Sequence, residues 1–277
     1  MSWTGTIGFI GAGNAVDAIV RGLVRGGVVP PQRCVVTNRS NDARLARLAR
    51  EWSVVTTRDK VRLVDQADVV LVAVKPSAVP EVLSEIAGHV QPRHLVISIA
   101  AGIQIETIEA ALGGAAVVRA MPNTSTAVGE SATAICAGGY AGEAHMRVAR
   151  AIFEAVGRVV EVPERFFDAV TGVSGSGPAY VYLLAEAMIE AAQREGLERG
   201  VAIELVSQTV LGAGRMLVET RDDPAVLRAR VTSPGGTTMA AMEVFTEDGF
   251  LATVARAIAR ATRRAAELRA LPPVRVR

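Results

Sequence analysis

Histidine, cysteine, lysine and the aromatics are all scarce in this sequence. Of 277 residues, three are histidine, two cysteine and 4% aromatic, and Lys60 and Lys75 are its only lysines. Cys34 and Cys136 lie far apart, each in an apolar, strand-like run. Neither a disulfide framework nor a zinc site is therefore expected; both are read as buried thiols, and no metal is implied. An excess of one charge is missing too. Thirty Lys and Arg against 28 Asp and Glu leave a formal net charge of +2, too balanced to imply nucleic acid or an acidic surface as partner. The longest uninterrupted apolar runs, such as 69–74, are of strand length and far below a membrane span. No basic, apolar leader precedes the first strand, which begins at Thr6. A soluble, cytoplasmic protein with no membrane or nucleic-acid partner is expected.

Hydrophobic residues make up 50% of the chain, enough for a substantial core, and the length favours two domains. Thr6-Ile7-Gly8-Phe9-Ile10 is a short apolar run ending in Gly11-Ala12-Gly13-Asn14, after which Ala15, Ala18, Ile19, Gly22 and Leu23 recur at helical spacing. Strand, glycine turn and helix form the context in which Gly-x-Gly brings the backbone to a pyrophosphate at a helix N-terminus. Val16 occupies the third glycine position, which should push the helix off the strand or demand compensation. The next strand, 34–37, ends in Asn38-Arg39-Ser40. No carboxylate stands there for the ribose hydroxyls of NAD; an arginine and a serine suit the 2′-phosphate of NADP. Ser40 is also placed to cap a helix over 41–51, with Leu45, Leu48 and Trp52 on one face. The apolar run 67–74 reads as a central parallel strand and ends in Lys75-Pro76. Further strands over 95–99 and 117–120 run into Ala100-Ala101-Gly102 and Met121-Pro122-Asn123-Thr124. Helical segments near 15–26, 41–52, 79–89, 104–112 and 143–156 alternate with them, and 132–137 and 158–162 look like additional strands. This is the βα repeat of a doubly wound, Rossmann-type sheet, and residues 1–163 are assigned to a dinucleotide-binding domain.

After Pro163 the pattern is Ala-rich and helical to the end. Residues 164–277 are assigned to an all-α dimerisation domain, with helices over 179–194, 201–220, a short one from Asp223-Pro224, and 250–268. Helices this apolar on more than one face point to a homodimer. The arginines of the last helix, Arg256, Arg260, Arg263 and Arg264, read as a solvated face. Two loops dense in hydroxyls and glycines stand out: Ser174-Gly175-Ser176-Gly177-Pro178 and Thr232-Ser233-Pro234-Gly235-Gly236-Thr237-Thr238. In the second, Gly235 and Gly236 let a ligand approach the main chain, and a helix over 239–245 offers its N-terminus to a carboxylate or phosphate. On local pattern alone, a loop whose Ser and Thr merely cap that helix fits equally well.

Taken together, Gly8-Phe9-Ile10-Gly11-Ala12-Gly13-Asn14, Val74-Lys75-Pro76, Met121-Pro122-Asn123-Thr124, Ser174-Gly175-Ser176-Gly177-Pro178-Ala179-Tyr180 and the loop from Thr232 to Thr238 resemble pyrroline-5-carboxylate reductase. The resemblance runs to about Leu268, and the last two loops are its most specific parts. It implies NADPH-dependent reduction, with NADH as a possible alternative, of the cyclic imine pyrroline-5-carboxylate to proline. It also implies interlocked dimers that can assemble into rings. By position, Ser233, Gly235, Gly236 and Thr237 would hold the substrate carboxylate, and Thr238 would hydrogen-bond the ring nitrogen as the catalytic residue. Gly11, Ala12, Gly13, Asn14, Asn38, Arg39 and Ser40 would hold the dinucleotide, with Lys75, Pro76, Met121 and Asn123 toward the nicotinamide. Three positions depart from the pattern: Val16 for a small residue, Lys60 where an Asn commonly helps hold the cofactor, and Ser125 for a Pro. His89, His94 and His145 lie away from the motifs. Positioning is thus expected to carry the chemistry, the proton coming from solvent or an already protonated substrate. A reductase of another cyclic imine remains an alternative, as does a silent dinucleotide sensor. A β-hydroxy-acid enzyme would want a lysine in the long helix of the second half, where there is none.

Overall fold

The computed structural model describes residues 4–270. Its strands are β1 (Ile7–Ile10), β2 (Cys34–Thr37), β3 (Val55–Thr57), β4 (Val69–Val72), β5 (Leu95–Ser98), β6 (Ala116–Met121), β7 (Ser131–Ala137) and β8 (Gly157–Glu161). They form one sheet in the order β3-β2-β1-β4-β5-β6-β7-β8. The order reverses at β1, which pairs in parallel with both β2 and β4, and a ligand crevice is expected at the carboxyl ends there. Only β6 and β7 run antiparallel. The link between them, which includes the 3-10 turn Thr124–Val128, is too short for the crossover of a dozen or more residues that a parallel neighbour needs.

Helices α1 (Asn14–Arg25), α2 (Asp42–Trp52), α3 (Lys60–Gln66), α4 (Val79–Ile86), α5 (Ile105–Ala111) and α6 (Glu143–Glu154) cover the sheet. The two-residue period of a strand sends alternate side chains to opposite faces. Ile7, Phe9, Val36, Val69 and Leu71 join Ile19, Leu23, Leu48 and Phe153 in one core. Ile10, Val35, Val70 and Val72 join Leu63, Leu83, Ile86 and Ile108 in the other. Coverage on both faces is why the central strands read as unbroken apolar runs. Cys34 is buried, which pushes its thiol up to about 12. Cys136 is half-exposed at the other end of the sheet, so the expectation of two buried thiols holds for Cys34 alone.

By internal contacts the chain parts between Ser176 and Gly177, with the end of the last helix, from Ala261, returning to the first unit. That is later than the change of sequence pattern at Pro163. The reason is local: Glu164 Oε1 accepts from Arg119 Nη1 and from the N–H of Ile105, both at 2.9 Å. Phe167 is buried, with the Arg119 guanidinium 4.6 Å from its ring centroid. The four-residue helix α7 (Phe167–Val170) and the π-helical turn Thr171–Gly175 therefore belong with the sheet.

The second unit comprises α8 (Gly177–Arg194), α9 (Arg199–Thr220), α10 (Pro224–Arg230), α11 (Thr237–Glu247) and the start of α12 (Phe250–Ala270). Within it, Ala202 and Val206 on α9 are buried, while Leu183, Leu205, Val218 and Leu251 are exposed. α9 is 22 residues long, with a hydropathy of 1.4 over its most apolar stretch, so by length and composition it is apolar enough to cross a membrane. Charges such as Glu204 break up that stretch, which is why uninterrupted runs did not reveal it.

His94 is wholly buried in the turn before β5, where its Nδ1 accepts from the N–H of Gln91 at 2.7 Å. Burial, aided by the Arg93 charge, holds its pKa below the usual 6.5. The unfolded chain takes up a proton that the folded chain resists, so the neutral ring's contribution is complete above about pH 6.5 and is lost as pH falls toward the folded pKa. The unfolding midpoint is expected to drop between about pH 7 and about pH 5.5, and His94→Leu to be less stable overall but with a shallower slope across that window. Equal slopes by thermal denaturation would exclude His94 as the cause.

Candidate active site

At the carboxyl edge, Gly11 has φ +118° and gives its N–H to Thr37 O at 2.9 Å. A Cβ at Gly11 would meet the carbonyl oxygen of Ala73 at 2.5 Å. Both the dihedral and the approach require glycine. Gly13 stands at the N-cap of α1 with no side-chain cap, and the position of its missing Cβ has nothing within 4 Å. The first-turn N–H groups of α1 are thus open to an anion. Ala12 is buried between these two glycines. Val16 is fully buried in the core. The close approach of α1 to a neighbouring backbone occurs instead at Gly22, whose Cβ would lie 2.5 Å from Ala155 O.

At the end of β2, the side chain of Asn38 holds the turn. Its Oδ1 accepts from Asn41 N at 2.9 Å, and its Nδ2 donates to Asn41 O at 2.8 Å. Asn41, not Ser40, caps α2, accepting from Arg44 N. That leaves Arg39 and Ser40 exposed, Arg39 lying 3.5 Å from Glu81. Beside them Arg58 donates to Asn38 O and Oδ1 and pairs with Asp42, and Lys60 pairs with Glu85. Asn14 accepts from Arg44 Nη2 at 2.6 Å. Arg44 and Arg58 were not among the residues read from the sequence. Arg58 follows β3, a three-residue edge strand with no periodicity to detect.

Toward the expected nicotinamide end, Lys75 and Pro76 are exposed at the start of a 3-10 turn after β4. Asn123 makes hydrogen bonds within the protein through its amide and its own N–H. Its Nδ2 donates to Ser174 O and its Oδ1 accepts from Ser125 N, both at 3.1 Å, and its own N–H donates to Ser131 Oγ at 3.2 Å. The serine at 125 matters here, since a proline would have no N–H to give. A Cβ on Gly175 would come within 2.8 Å of Met121 Cε. Met121 and Asn123 therefore brace the π-turn that carries Ser174 and Gly175, a helix distortion frequent at functional sites.

In the second unit, Gly235 has φ +69° and Gly236 donates to Ser233 O at 3.0 Å. A Cβ on Gly236 would lie 2.4 Å from Ser233 Oγ. Gly236 is itself the N-cap of α11, with no side-chain cap. The reading in which the loop's hydroxyls merely cap the next helix is thereby overturned. The helix starts at Thr237, earlier than the sequence pattern placed it, with Thr237 exposed and Thr238 half-buried in its first turn. Loop and first turn together hold hydroxyls and unpaired N–H groups, and no ionisable side chain.

Residues 164–268 match the family model described as pyrroline-5-carboxylate reductase dimerisation. Residues 6–102 match one described as NADP oxidoreductase, coenzyme F420-dependent. Pyrroline-5-carboxylate reductase 2 of Bacillus subtilis is 40% identical over 264 residues, 95% of this chain and 95% of the relative. Among solved structures, a pyrroline-5-carboxylate reductase from Coxiella burnetii is 40% identical with a TM-score of 0.92, over 96% of this chain and 99% of that one. The Plasmodium falciparum pyrroline carboxylate reductase with NADP bound is 27% identical with a TM-score of 0.84, over 95% of this chain and 97% of that one. With identity and coverage of this extent, the chain belongs to the pyrroline-5-carboxylate reductase family.

Proposed function

We propose that this chain reduces 1-pyrroline-5-carboxylate to L-proline, the last step of proline synthesis, with NADPH as the reductant and NADH as a weaker one. The observation that carries the substrate half of this reading is the uncapped first turn of α11, preceded by Gly235, Gly236 and Ser233. An anion of carboxylate size suits backbone N–H groups at a positive helix end, with the hydroxyls of Ser233 and Thr237 alongside. The open N-terminus of α1, with Gly11, Ala12, Gly13 and Asn14, suits the pyrophosphate, and exposed Arg39 and Ser40 suit the 2′-phosphate. Lys75, Pro76 and Met121 lie toward the nicotinamide. Asn38 and Asn123 brace their turns through one amide N–H each, which leaves the second for the dinucleotide.

When bound, the reduced nicotinamide supplies the hydride that goes to the C=N carbon. The chain's own task is to hold the ring so that this carbon faces the donor, and to favour the protonated nitrogen. Thr238, half-buried in the first turn of α11, is assigned to hydrogen-bond that nitrogen. With no acid in the loop, the proton arrives on the substrate or from water. The exposed apolar side chains of the second unit, Leu183, Leu205, Val218 and Leu251 among them, fit burial against a second copy through the C-terminal helices. The same burial would account for α9 without a membrane, in a cytoplasmic homodimer or a ring of such dimers; sedimentation distinguishes the two.

Loss of one such hydrogen bond costs about 1–3 kcal/mol, so Thr238→Ala should lower turnover roughly 5- to 150-fold. Wild-type turnover in that variant would remove Thr238 from the mechanism. Arg39→Ala should weaken NADPH about 10-fold or more and leave NADH nearly unchanged; equal losses for both would sink the 2′-phosphate assignment. Oxidation of NADPH and NADH followed with a panel of five- and six-membered cyclic imino acids tests the substrate. Preference for a six-membered ring, or binding of NADPH without turnover on any of them, would refute it.

A further inference from the structure

The cations near the carboxyl ends of β2 and β3 are held in two different ways. Arg39 lies 3.5 Å from Glu81, Arg58 is paired with Asp42, Lys60 with Glu85, and Arg47, further along α2, with Asp17. Arg44 has no such partner: among the described residues, no carboxylate lies within ion-pair distance of it. Its Nη2 donates to a neutral acceptor, Asn14 Oδ1, at 2.6 Å, and its Nε is buried without any acceptor. A guanidinium partly withdrawn from water, short of acceptors and without a counter-charge, is costly to keep.

Its neighbourhood adds to that cost. Arg44 stands in the first turn of α2, its own N–H capped by Asn41 at 2.9 Å, and its side chain reaches the first residue of α1. The positive ends of two helices therefore lie close to a positive side chain, an arrangement that favours an anion and disfavours a cation. The helix pair has a second tie one turn on, where Asp17 accepts from both Arg47 and Trp52. A mere clamp between α1 and α2 is thus already supplied by groups of matched charge.

We propose that Arg44 is a phosphate ligand of the dinucleotide. Asn14 holds the guanidinium beside the open first turn of α1, and a phosphate seated there supplies the counter-charge. The proposal rests on the dinucleotide reading of this edge. The phosphate belongs either to the pyrophosphate, common to NADH and NADPH, or to the 2′-phosphate of NADPH alone, and binding measurements tell these apart.

The test uses the full chain with Arg44→Gln, which keeps an N–H for Asn14 but loses the charge, and with Arg44→Lys, which keeps the charge. Dissociation constants for NADPH, NADH and 2′,5′-ADP are measured by calorimetry at low and high salt, together with the unfolding midpoint without ligand. Arg44→Gln is expected to weaken NADPH about 10-fold or more and to flatten the salt dependence, with Arg44→Lys recovering part of the loss and little change in the midpoint. Loss for NADPH and NADH alike assigns the pyrophosphate. Loss confined to NADPH and 2′,5′-ADP assigns the 2′-phosphate. Unchanged affinity for all three overturns the proposal, and so does a lowered midpoint with affinity intact, which would leave Arg44 as a helix tie. Failure of the wild-type chain to bind any of the three would instead overturn the dinucleotide reading itself.

Discussion

At Gly11 the backbone leaves β1 in a conformation closed to L side chains, with its N–H on the carbonyl of Thr37 and its Cα against the carbonyl of Ala73. That one residue fixes the ends of β2, β1 and β4 against each other at the point where the strand order reverses. It also sets the direction in which α1 begins, and so where the helix's unpaired N–H groups point. Substituting any larger residue would force either the turn or β4 to move. The anion-binding geometry of the first unit depends on this approach more than on any polar side chain.

The asparagines around that edge do a structural job that their positions alone do not imply. Asn38 and Asn123 have the polarity of ligand-contacting residues, and each amide also donates and accepts within the chain itself. They resemble brackets, each turning a strand end and fixing the segment after it. Asn38 sets the cap of α2, while Asn123 ties the β6 edge to the π-turn at Ser174. Neutral amides suit this role because they donate and accept at once, without the desolvation cost that a charged group in the same place would carry.

Much of this was legible in the sequence. The central strands announced themselves as unbroken apolar runs, and each glycine turn sat where a strand gave way to a helix. The loop at 233–236 was visible as a composition. The hidden parts had short-range or non-local causes. β3 has three residues and an exposed edge, and α3 has seven, too few for any period to emerge. The helix cap moved by one residue, from Ser40 to Asn41, because both side chains are able to cap and only the turn geometry chooses. Arg44, Arg58, Arg119 and Glu164 act through partners distant in sequence, and no local pattern marks them. The later division of the chain has the same origin, since Glu164 and Phe167 come after the last strand in sequence yet pack against the sheet by way of Arg119.

α1 and α11, both without a side-chain cap, share a solution. Leaving a helix without a side-chain cap forgoes about 1 kcal/mol, and lack of a cap alone is not distinctive, since α5 and α9 also have none. α6 shares with α1 and α11 a glycine at the cap position after a glycine-bearing turn, but there the Gly142 N–H donates to His145 Nδ1 at 3.0 Å, whereas at α1 and α11 no side chain returns to the glycine cap. Main-chain N–H groups do not titrate, and their dipoles are already oriented before a ligand arrives. A site built from them holds a carboxylate or phosphate equally well across a wide pH range. Nothing in the loop at 233–238 can exchange a proton in that range either. The pH dependence of the chemistry would then follow the protonation of the imine nitrogen, and the protein's share of catalysis would lie in geometry.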